Sequence, residues 1–172
     1  MHLIGAKKLN LKACFLCNPK GVLKIQNIME NLMNQLFYVS SARNNLSYED
    51  ILHIVEKARE HNSANGITGV LLYKGGIFLQ LLEGEKSALR KVFEEKIKPD
   101  PKHSNIIEIF DLPAKERLFQ DWSMGFCEMS EMDMKMINEI LSWNKLISAA
   151  KEIDNHLILR MLERFKNQGS LR

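Results

Sequence analysis

Lys74-Gly75-Gly76-Ile77-Phe78-Leu79-Gln80-Leu81-Leu82 decides the fold. Lys74-Gly75-Gly76 signals a tight hairpin, because glycine reaches positive φ without a Cβ clash. The six residues after it are apolar on both faces apart from Gln80, the pattern of a strand buried on both sides. Gly66 opens the hairpin partner, Ile67 to Tyr73. Upstream, Leu36-Phe37-Tyr38-Val39-Ser40 is aromatic and β-branched and reads as the first strand. Ser47 with Asp50 three residues later resembles an N-terminal capping box. The helix it starts carries Ile51, Ile54, Val55 and Ala58 on one stripe, and Asn62 continues that stripe.

Downstream, a second helix is expected over about Glu85 to Lys98, where Pro99 and Pro101 stop it. A fourth strand runs from Asn105 to Phe110, and a fifth lies around Trp122 to Phe126. The order β-α-β-β-α-β-β predicts an α+β, ferredoxin-like sheet with two helices on one face. A C-terminal helical pair follows. Ser130 and Asp133 suggest its first cap, and Leu146, Ala150, Ile153, Leu157 and Met161 its last apolar stripe. The expected organisation is an N-terminal extension over 1–32, a folded domain over 33–127 and output helices over 128–172. The extension has no sustained period and is broken at Pro19-Lys20-Gly21. Met29 or Met33 is the expected native start.

At 45% hydrophobic and 26% charged, the 172 residues have the balance of a soluble globular chain. No run of about 18 apolar residues predicts a membrane span. Three cysteines in a chain of this size point to a reducing, cytoplasmic setting. Cys14 and Cys17 form a CxxC but lack further ligands at workable spacing, so no metal is expected. Five lysines and one glutamate fall in the first 35 residues, so the formal charge of +3 leaves the rest slightly acidic. That argues against direct nucleic-acid binding.

Two polar residues interrupt the apolar pattern, Asn62 on a buried helix stripe and Gln80 in a doubly buried strand. An unsatisfied buried amide costs roughly 2–7 kcal/mol, so each needs a partner. Gln80 bonding a neighbouring side chain and Asn62 capping its own helix would answer this. A buried heteroaromatic ligand with amide-like edges would answer it too.

Four stretches carry a family resemblance: Phe37-Tyr38-Val39-Ser40-Ser41-Ala42, His61-Asn62-Ser63-Ala64-Asn65-Gly66-Ile67-Thr68-Gly69, Phe78-Leu79-Gln80-Leu81-Leu82-Glu83-Gly84 and Trp122-Ser123-Met124. Together they resemble the BLUF family of flavin-using blue-light sensors, over about 90 residues and in the right order. The resemblance implies FAD between the two helices. Asn62 matches the asparagine on the flavin's pyrimidine edge, Gln80 the glutamine between flavin and tyrosine, and Tyr38 the reactive tyrosine. Trp122 and Met124 match a fifth-strand pair whose packing changes around the glutamine. Ile54 and Phe78 are expected to pack the flavin or the core around it, and Ser40 is counted among the cofactor residues. Two positions depart from the family. Ala58 stands where a small hydroxyl residue is common, and Glu95 followed by Lys96 occupies the register of a basic residue in the second helix. Lys98, Lys102 or His103 are the expected substitutes.

The residue types suit the chemistry that the resemblance implies. Tyrosine yields an electron and a proton and is protonated at neutral pH. Glutamine offers acceptor and donor on one planar head, so it relays a proton and exchanges roles. The methionine-rich stretch Met129, Met132, Met134, Met136 fits helices that re-pack against an unidentified signalling protein or a second copy. Two rival readings are a flavin-binding oxidoreductase and a cofactor-free ferredoxin-like binding module. Against an enzyme, the sequence has no nicotinamide motif, metal cluster or nucleophile–base constellation.

Overall fold

The computed structural model describes residues 33–43, 46–148 and 155–167. The expected extension, its CxxC, and the stripe positions Ala150 and Ile153 lie outside the described residues, as does the side chain of Leu146. Five strands form one sheet, ordered β4-β1-β3-β2-β5. They are β1 (Met33–Ala42), β2 (Thr68–Lys74), β3 (Ile77–Glu85), β4 (His103–Pro113) and β5 (Gly125–Glu128). All neighbours are antiparallel except β2 and β5, which run parallel. The α+β reading and the ferredoxin-like order of the first four strands hold.

Helix α1 (Tyr48–Ala64) starts on the expected box: Ser47 Oγ accepts from Asp50 N, and the Asp50 carboxylate accepts from Ser47 N. Helix α2 (Lys86–Val92) runs into a π turn, Phe93–Ile97. Helices α3 (Glu131–Ser148) and α4 (Asn155–Asn167) follow β5. Ser130 and Asp133 exchange the predicted bonds at the start of α3.

Strand alternation divides the interior in two. Leu36, Tyr38, Leu71, Phe78 and Leu82 face α1 and α2, meeting Ile51, Val55, Leu89 and Phe93. Phe37, Val70, Leu72, Leu79 and Leu81 face the other way, against Ile137 of α3 and Ile158, Met161, Leu162 and Phe165 of α4. Two helices on one face and a C-terminal helical pair match the expected fold class, but the buried stripe of α4 is Ile158, Met161, Leu162 and Phe165, and Leu157, expected on that stripe, is exposed.

The fifth strand differs from it. It begins at Gly125, which pairs with Val70, so Trp122 and Met124 precede the ladder. A strand would point both side chains the same way. Off the ladder they diverge: Met124 joins the core beneath α1 and α2, and Trp122 packs against the core beneath α3 and α4. Gly69 permits the close pairing of β2 and β3, since a Cβ there would fall 2.1 Å from Leu81 O.

Candidate functional site

β1 and β3 pair so that Tyr38 stands directly opposite Gln80. Both side chains point toward α1 and α2 and are buried. The Tyr38 hydroxyl donates to Gln80 Oε1. Gln80 Nε2 lies 3.7 Å from Met124 Sδ. Burial, reinforced by the charge of Asp100, pushes the Tyr38 phenol well above its ordinary value. It is therefore a neutral donor across the physiological range.

A cavity of about 330 Å³ opens over this pair between α1 and α2. The floor is Tyr38, Gln80 and Leu82, and Ile54, Ala58, Val92 and Ile97 supply apolar walls. Asn62 lines it too, 2% exposed, with Nδ2 donating to Ser123 O at 2.7 Å. Lys57, His61, Lys96, Lys102 and Asp100 complete the lining, so cations outnumber the one carboxylate.

His103 lies on the same lining, 6% exposed, with Nδ1 2.8 Å from Ser40 Oγ. Its ring centroid is 5.0 Å from that of Phe78 and 6.5 Å from that of Tyr38. Burial lowers its pKa, nearby Lys102 adds to that and Asp100 opposes it. Ser40 and Phe78 thus support the wall through His103. Lys98 lies elsewhere: its Nζ bonds both oxygens of Glu94 and sits 5.0 Å over the Phe93 ring. Lys96 takes the place on the cavity. The π turn adds a residue to this stretch of helix, which rotates the following positions relative to an α-helical count.

Sequence reasoning missed Glu83. It is wholly buried, yet its carboxylate accepts from Gln35 Nε2, Leu118 N and Phe119 N at 2.7–2.8 Å. Arg117 bonds Thr68 Oγ1 and the carbonyls of Glu83 and Gly66. These bonds fasten the stretch leading to Trp122 and Met124 onto β3. A glutamate inside an apolar strand was the available signal. Among the described residues no group of three or more His, Cys, Asp or Glu is placed to hold a metal, and no helix is long and apolar enough to cross a membrane.

The residues present fit a flat heteroaromatic ligand. The cavity volume falls in the range of small-molecule sites, roughly 300–1,000 Å³. Its apolar walls suit a ring system, and Asn62 and Gln80 present amides to ring edges. Among the described residues Gln80 Nε2 has a thioether sulfur at 3.7 Å and no strong acceptor. This is an α+β ligand-binding domain with a buried, hydrogen-bonded Tyr–Gln pair at the cavity floor.

Comparison with known proteins assigns it further. The model of the BLUF family, sensors of blue light using FAD, matches residues 33–125, more than half of the chain. The chain is 33% identical over 96 residues to the photoactivated adenylate cyclase subunit beta of Euglena longa, covering 55% of this chain but 11% of that protein. It is 33% identical over 88 residues to the blue light- and temperature-regulated antirepressor BluF of Escherichia coli K12, covering 51% of this chain and 22% of that one. The chain thus spans a small part of these relatives' length. Among solved structures, the dark state of the BLUF protein BlrB aligns with a TM-score of 0.63 at 30% identity, over 78% of this chain and 98% of that one. BlsA in its photo-activated state aligns at 0.58 and 32%, over 63% and 79%. The chain belongs to the BLUF family, whose members are flavin-binding blue-light sensors.

Proposed function

We propose that this chain is a blue-light photoreceptor that binds FAD, uses Tyr38 and Gln80 as its photoactive pair and signals to a protein partner through α3 and α4. The observation that carries the reading is the bond from Tyr38 to Gln80 Oε1, with Gln80 Nε2 turned to the weak acceptor Met124 Sδ. Bound flavin supplies blue-light absorption and, when excited, a strong one-electron oxidant. With that oxidant bound, Tyr38 would give up an electron to it and its hydroxyl proton to Gln80 Oε1. Gln80 would hand a proton from Nε2 to the reduced flavin, and once an electron and a proton return to Tyr38 it would be left with donor and acceptor exchanged. Rotation of the amide and a tautomer shift both achieve this. No covalent bond is made, so the state resets thermally.

Asn62 holds the ring edge, and Ile54, His103, Ser40 and Phe78 form or brace the wall. Lys57, Lys96 and Lys102 set positive charge around the cavity, which supports a diphosphate-bearing flavin over a neutral one. Lys98 is engaged with Glu94 and takes no part. On this reading residues 33–127 are the sensor unit and 128–172 carry output in a cytoplasmic protein. Purified full-length chain should be yellow and show a reversible red shift under blue light. The flavin released on denaturation should have the mass of FAD. FMN alone would correct the cofactor. Colourless protein that takes up no added flavin would refute the reading.

A further inference from the structure

We propose that Arg59 is a positioning residue of the photoactive site, holding the Met124 backbone so that its sulfur stays on Gln80. This rests on the photoreceptor reading above. Three successive carbonyls approach the site before β5 begins, and each is held by a different group. Trp122 O accepts from Gly69 N at 3.0 Å, Ser123 O from Asn62 Nδ2 at 2.7 Å and Met124 O from Arg59 Nε at 2.9 Å. The first is strand backbone. The second comes from a side chain that also lines the cavity, so a change at the ligand reaches it directly. Arg59 is outside that lining.

Met124 needs such a hold. It is one residue short of the β2–β5 ladder, which starts at Gly125 opposite Val70. Its side chain is 1% exposed and gives Gln80 Nε2 its one protein partner among the described residues. A thioether is a weak acceptor and Met is a flexible side chain, so the sulfur's position depends on its backbone. A guanidinium donating to a carbonyl makes a charge-assisted bond and, being planar, fixes direction as well as distance. Releasing it frees Met124 to leave Gln80, which removes one contact the amide must break and remake during reset.

The test uses full-length protein with its flavin. Arg59→Gln retains helix propensity and should speed dark recovery roughly tenfold, the effect of losing one charge-assisted hydrogen bond. Arg59→Lys, which keeps a charged donor, should fall between the two. The diagnostic measurement is the same substitution in a Met124→Leu background, where the effect should vanish because the sulfur is gone. Methyl-labelled methionine spectra in the dark should show the Met124 resonance shifting in Arg59→Gln. Wild-type recovery in Arg59→Gln, or an undiminished effect in Met124→Leu, overturns the proposal. A wild-type chain with no photocycle refutes the photoreceptor reading itself, and this inference with it.

Discussion

Tyr38 and Gln80 face one another across β1 and β3, joined by a buried hydroxyl-to-carbonyl bond. The bond gives Gln80 an orientation: Oε1 is committed to Tyr38, so Nε2 is the end presented to Met124. Tyr38→Phe keeps the ring's packing and removes the donor. It should bind flavin normally and lose the light-induced red shift, followed by absorption under illumination. A normal photocycle in this variant would refute the mechanism.

The cations on the cavity lining make a separate forecast. Lys57→Ala with Lys96→Ala should weaken FAD about tenfold or more, as expected for losing two charges near a diphosphate, and leave riboflavin nearly unaffected. Titration of flavin-free protein with both ligands, at low and high salt, measures this. Equal losses for the two would point to a packing role for the lysine stems.

Removing the Glu83 carboxylate should cost far more than a surface change. Glu83→Ala strands the amides of Leu118 and Phe119 and the Gln35 side chain without their acceptor. About 3–5 kcal/mol of stability should be lost, because three buried donors are left unsatisfied at about 1–3 kcal/mol each. Urea unfolding gives the value, and a loss under about 1 kcal/mol would show that water replaces the carboxylate.

Stability should fall at both ends of the pH scale, for two different residues. His103 is held below its ordinary 6.5 by burial, so below that pH the unfolded chain takes a proton that the fold refuses. Its contribution is full above 6.5 and is lost as pH falls toward the folded-state pKa. Tyr38 is held above its ordinary 10.0, again by burial, so its contribution is full below 10.0 and is lost as pH rises beyond it. Melting temperatures across pH should show both limbs. His103→Gln should flatten the acid one and Tyr38→Phe the alkaline one.

The fold was largely legible because its signals are local. The Lys74-Gly75-Gly76 turn, the Ser47–Asp50 box and the stripe of α1 are short-range patterns, and the structure contains all three. Asn62 and Gln80 stood out because amides are costly inside apolar surroundings. Other features depend on partners distant in sequence. Trp122 and Met124 read as strand, but the donors that shape them sit on α1 and β2. The exchange of Lys98 for Lys96 follows from a π turn, which leaves no pattern in a window scored at helical period. Glu83 was read only as part of a motif, because its donors are backbone amides 35 residues away and more.

The sheet's division into two cores separates what selection and engineering can change. On β3 the even positions Phe78, Gln80 and Leu82 belong to the chromophore side, while the odd positions Ile77, Leu79 and Leu81 belong to the helices behind. With output running through α3 and α4 as proposed, a library varying only odd positions should retune output at fixed colour, and one varying even positions should retune colour with the output surface intact.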